Sequence, residues 1–124
     1  MSIKKGEKNQ PLYLWTGEQD EDGNITKVGF DLSGYVTLTL KFTKPSGESF
    51  TVTDLSVSAV TAPALVLTDQ DGLPNTVAAS TYFKYVSTGT DFDVAGSWRW
   101  QGKYTDADAT LFTKEVEFPV LKAF

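Results

Sequence analysis

Apolar and polar side chains trade places every second residue through most of this chain. No window of about 11 residues carries the i, i+3, i+4, i+7 apolar stripe of an amphipathic helix. A period of two places alternate side chains on opposite faces of an extended backbone, so the chain reads as all-β. The clearest strand runs from Tyr35 to Thr43, with Val36, Leu38, Leu40 and Phe42 on one face and Thr37, Thr39, Lys41 and Thr43 on the other. Lys44-Pro45-Ser46-Gly47-Glu48-Ser49 then supplies turn chemistry, with Pro setting φ and Gly free to take positive φ. A returning strand is expected at Phe50-Thr51-Val52.

Further strands are expected at about 11–17, 25–31, 56–61, 64–68, 77–87, 97–105 and 110–121. They are separated by Asp/Asn/Gly/Pro clusters at 20–24, 62–63, 69–75, 88–91 and 106–109. Seven to nine short antiparallel strands in one domain predict a two-sheet β-sandwich over residues 11–124, with a small barrel as the structural alternative. The strand after Gly96 puts Trp98, Trp100 and Tyr104 on one face and Arg99, Gln101 and Lys103 on the other. Gly102 lies on the aromatic side and predicts a close approach by a neighbour. Phe112, Val116, Phe118 and Val120 share a face of the last strand, which pairs with the Trp strand through a hairpin at Asp106–Ala109.

Two segments stand apart. Residues 1–10 are polar and aperiodic and read as a flexible N-terminal arm, either a frayed terminus or a segment that orders on a neighbouring subunit. In the next segment Leu12 and Leu14 share one face and Tyr13 and Trp15 the other, so both faces are apolar. It is then a central strand, or one of its faces meets a partner. Leu12, Tyr13, Leu14 and Trp15, with Lys4 and Lys5 of the arm, are the candidate partner-binding residues. The aromatic pairs Tyr13/Trp15 and Trp98/Trp100 also match a sugar-stacking platform, although two Trps two apart beside a polar face are more often core.

The chain has no cysteine and no histidine, which removes thiol nucleophiles, thiolate metal sites and the commonest general base. The acidic cluster Glu18, Asp20, Glu21 and Asp22 lacks the Gly of a calcium loop at position six, where Ile25 or Lys27 stands, and matches the closing carboxylate only through Asp31 counted from Asp20, so it reads as a solvated hairpin turn. Asp69 with Asp71 and Asp91 with Asp93 are turn pairs of the same kind. No Ser has a His to activate it, and no Gly-rich phosphate loop opens a helix, so a non-enzymatic protein without a catalytic residue, metal or cofactor is expected. A net charge of −5 argues against a polyanion partner such as nucleic acid. No apolar run is long enough for a signal peptide or a membrane span, so synthesis without export is expected.

Phe30-Asp31-Leu32-Ser33-Gly34, the Val36–Phe42 strand, Lys44-Pro45-Ser46-Gly47, Tyr82-Phe83-Lys84-Tyr85-Val86 and Asp93-Val94-Ala95-Gly96-Ser97-Trp98 follow one another in an order that resembles the small immunoglobulin-like modules of tailed-phage virion proteins. The N-terminal domain of phage baseplate upper proteins is similar over residues 28–121. Those proteins continue into a receptor-bearing part, to which nothing in this sequence corresponds. The resemblance implies a virion structural protein of a tail, baseplate, connector or capsid, made in the bacterial cytoplasm. It implies binding to other virion proteins in symmetric multi-copy assembly. A carbohydrate-binding or host-adhesion module that takes a host glycan is the alternative.

Overall fold

The computed structural model describes residues 3–20, 22, 24–53, 65–67 and 75–123. Its strands are β1 (Ile3–Lys4), β2 (Pro11–Trp15), β3 (Glu18–Gln19), β4 (Ile25–Lys27), β5 (Thr37–Thr43), β6 (Ser49–Thr53), β7 (Leu65–Leu67), β8 (Asn75–Val77), β9 (Tyr82–Val86), β10 (Gly96–Thr105), β11 (Thr110–Phe112) and β12 (Val116–Leu121). Among the described residues there is no helix, as the period-two pattern requires. The strand expected at 56–61 lies outside the described residues.

The main sheet runs β1-β12-β10-β5-β6, with β11 beside the far half of β10. β10 is its axis. Its first half pairs with β12 from Gly96↔Val120 to Trp100↔Val116, its second half with β11, and its other edge with β5 from Arg99↔Thr43 to Thr105↔Thr37. The expected 110–121 strand is therefore two strands, broken at Thr113. This side chain is buried, and its Oγ1 accepts the Gly102 N–H at 2.9 Å where the ladder changes partner. The expected 77–87 strand is likewise split, by a turn in which Ser80 takes a positive φ of 58°.

A second layer, the antiparallel pair β2 and β9, lies against the main sheet. Leu12 and Leu14 with their cross-strand neighbours Tyr85 and Phe83 meet Leu38, Leu40, Phe42, Trp98, Trp100, Tyr104, Phe118 and Val120 in one core. Phe42 is the hub of its aromatic part. It stacks on Phe50 and Trp100 at 5.3 and 5.5 Å between ring centroids and meets Tyr85, Phe92 and Phe118 at steeper angles. Such ring pairs contribute about 0.5–1.5 kcal/mol each beyond the area they bury. The result is a sandwich-like, all-β body around a curled mixed sheet.

Two expectations need correction. The sequence predicts an arm outside the sandwich over the first ten residues, yet residues 3–10 lie on it. Ile3 is only 3% exposed and pairs with Val120, the Lys5 N–H donates to the Leu121 carbonyl, and the Asn9 N–H to that of Ser87. One apolar side chain in a polar stretch is enough, because Ile3 completes the core beside Val120. The β1–β12 pairing is parallel, so the strands are not uniformly antiparallel.

Gly102 fulfils the close approach expected of it: a Cβ there would run into the ring of Phe83. Gly102→Ala forces the two layers apart or the ring off its rotamer, at a cost of about 1–3 kcal/mol. Thermal unfolding should show a Tm lower by several degrees, and an unchanged Tm would mean that the layers do not touch at this point.

Candidate interaction surfaces

The apolar segment expected to meet a partner is a covered strand. Leu12 and Leu14 are fully enclosed by the core. On the opposite face Trp15 is buried with Val77 and Tyr82, and half-buried Tyr13 packs edge-on to Tyr82 at 5.8 Å. The Trp15 indole lies against two glycines: a Cβ on Gly17 would sit 2.5 Å from Trp15 Cη2, and one on Gly29 2.6 Å from Trp15 Nε1. This chain covers both faces itself, so Leu12, Leu14 and Trp15 offer nothing to a second molecule. Trp98 and Trp100 are also buried, which leaves neither Trp pair as a sugar platform.

Lys4 and Lys5 do stand on the surface. Lys5 lines a cleft of about 570 Å³ with Gly6, Val94, Ala95, Lys122 and Asp93. Its floor is apolar, with Val94 half exposed, and Lys5 and Lys122 bring cationic side chains to it. Sequence reasoning missed Lys122 and Val94 because the β1–β12 and β10–β12 pairings and the bond from the Gly6 N–H to the Phe92 carbonyl bring these distant segments together here.

Beside the cleft, the two motifs that carried the resemblance meet. Lys44 Nζ bonds Asp93 Oδ2 at 3.1 Å and lies 6.0 Å above the Trp98 ring. Gly96 adopts φ 140°, and a Cβ there would be 2.7 Å from Pro45 Cγ. Trp98 Nε1 donates to the Val94 carbonyl at 2.8 Å. The Lys-Pro-Ser-Gly turn and the Asp-Val-Ala-Gly-Ser-Trp corner are thus halves of one packed unit. Gly is needed at 47 for the turn, at φ 94°, and at 96 because the proline ring fills the space of a side chain.

Asp69 and Asp71 lie outside the described residues; of the other carboxylates suggested as turn pairs or a metal loop, Asp20 and Asp91 are bound up in backbone. Asp20 Oδ1 accepts the N–H groups of Asp22 and Asn24, both at 2.9 Å, closing the β3–β4 hairpin. Asp91 accepts the Tyr85 hydroxyl at 2.9 Å and the Thr88 N–H at 2.6 Å, and burial together with this bond pushes the Tyr85 phenol up. Asp31 accepts the Ser33 N–H and hydroxyl, which hold its carboxyl below the usual range. At the β10–β11 turn the Tyr104 hydroxyl donates to Asp106 Oδ2 at 2.5 Å, while Asp106 Oδ1 accepts the N–H groups of Asp108 and Ala109. That bond raises the Tyr104 phenol to about 12, and it is the largest cause of the lowered Asp106 carboxyl.

No protein-family model matches this chain, and no curated protein matches it significantly.

The Tyr104–Asp106 pair fixes two limbs of the stability profile. Asp106 titrates lower in the fold than in the unfolded chain, so its contribution is present above about pH 4 and is lost as pH falls through the depressed value. Tyr104 titrates higher in the fold, so its contribution is present below about pH 10 and is lost as pH rises through about 12. Tyr104→Phe should flatten both limbs in denaturant melts run from acid to alkaline pH. Limbs as steep as in the parent protein would show that the bond does not form in solution.

Proposed function

We propose that this chain is an immunoglobulin-like module of a tailed-phage virion: a non-enzymatic structural protein that acts by binding other particle proteins in many symmetry-related copies. The observation that supports the reading best is the corner where Lys44, Pro45, Asp93, Gly96 and Trp98 pack together. These are the residues whose order along the chain carries the resemblance, and their mutual contact gives that order a structural reason. The interior is given over to aromatic packing, and the carboxylates of Asp20, Asp31, Asp91 and Asp106 cap turns. That is the organisation of a scaffold whose surface makes the contacts.

The surface that suits the role is the cleft of Lys5, Val94 and Lys122, where an apolar floor and cationic side chains fit an acidic-apolar segment of a neighbour. Cross-linking mass spectrometry of particles released by the cells that make this protein tests the reading. The chain should be present in stoichiometric amounts, with cross-links from Lys5 and Lys122 to another particle protein. Lys5→Glu/Lys122→Glu should lower its incorporation at least tenfold without unfolding it. Particles that lack the chain altogether would sink the proposal.

A further inference from the structure

The outward face of the main sheet has a composition unlike the rest of the chain. β5 presents Thr37, Thr39 and Lys41, β6 presents Ser49, Thr51 and Thr53, and β10 presents Ser97, Arg99, Gln101, Lys103 and Thr105. In a chain with 16 acidic side chains these three neighbouring strands place none on that face. Carboxylates begin only at its border, where Arg99 is cross-strand to Glu117 and bonds Glu115 at 3.3 Å. Among the described residues Lys41 and Lys103 have no such carboxylate: Lys41 stands between Gln101 and Thr51, and Lys103 between Thr39 and Phe112.

These side chains line a groove of about 230 Å³ formed by Thr39, Lys41, Thr51, Gln101, Lys103 and Phe112. Phe112 is 50% exposed, and Lys103 Nζ lies 5.9 Å from its ring centroid, so an apolar ring wall and an ammonium group stand side by side. Gln101 is held by a 3.0 Å bond from its amide nitrogen to the Thr113 carbonyl, which leaves its own carbonyl for a ligand hydroxyl. Hydroxyl groups, one amide, two cations without a carboxylate among the described residues and an aromatic wall suit a ligand that offers hydroxyls, carboxylates and a C–H face together. The net charge of −5 does not oppose it locally. β5, β6 and β10 themselves place no carboxylate on this face, and exposed charges elsewhere are screened over about 8–10 Å.

We propose that this face is a binding site for an acidic polysaccharide, with Lys41 and Lys103 on the carboxylates and Phe112 against a sugar ring. The site is independent of any assembly role and of the Lys5–Lys122 cleft.

The test is a titration of the intact chain with oligogalacturonate, a chain of carboxylate-bearing sugar rings, followed by amide chemical shifts. Shifts should concentrate on Thr39, Lys41, Thr51, Gln101, Lys103 and Phe112. The affinity should fall at least tenfold in Lys41→Gln/Lys103→Gln and about threefold in Phe112→Ala, and stay unchanged in Lys5→Gln/Lys122→Gln. Neutral dextran should give no shifts. The changed side chains are on the surface, so the variants keep the fold, which their own spectra verify. Absence of shifts, an equal loss in the Lys5/Lys122 variant, or oligothymidylate of matched charge binding as tightly would each overturn the proposal.

Discussion

The structure depends on one close approach. Where Phe83 of β9 crosses β10 it meets a residue with no side chain, and the ring rests on the Gly102 backbone. That contact sets the separation of the two layers, and Trp98, Trp100, Phe42 and Phe118 fill the remaining space. The same glycine is where β10 changes partners on its other edge. Its N–H goes to Thr113 Oγ1 and its carbonyl accepts the Thr113 N–H, so both backbone groups of Gly102 stay paired as β12 gives way to β11. Packing between layers and pairing within the main sheet are thereby coupled at a single residue.

At the two ends of the sandwich polar chemistry takes over. The turns are closed by carboxylates that accept backbone N–H groups, at Asp20, Asp31, Asp91 and Asp106, and two of these also hold a core tyrosine by its hydroxyl. A tyrosine anchored in this way ties a surface turn to the interior, so the turn inherits the rigidity of the core. Lys44 does the same at the opposite end of β10, where it bridges Asp93 and Trp98. Rigid turns on a rigid body present fixed surfaces to the solvent.

The parts of this fold legible from sequence are those decided by near neighbours. The alternation in β5 and β10, the turn at Lys44–Ser49 and the hairpin at Asp106–Ala109 all rest on side chains a few residues apart, and they appear where expected. Gly102 is legible because a gap in a row of large rings has to be filled from across the interface. What is not legible depends on distant partners. Leu12 to Trp15 announce that both faces are apolar, but only the arrival of Val77, Gly17 and Gly29 shows that the chain covers the second face itself. Nothing local in Thr113 marks it as the residue that switches the ladder. For the candidate cleft, Lys5 stands out in sequence as a charge in a polar stretch, while Lys122 and Val94 become its neighbours only through long-range pairing, of β12 with β1 and β10 and of Gly6 with Phe92.

That pairing has a consequence for how the molecule comes into being. β1 leaves the ribosome well before its partner β12, with more than a hundred residues between them to be made first. The open edge of β12 and the buried seat of Ile3 therefore have to wait for each other across that length. A nascent chain that stops short of Val120 has no place to put Ile3, so an apolar side chain left in water distinguishes it from one whose sheet has closed.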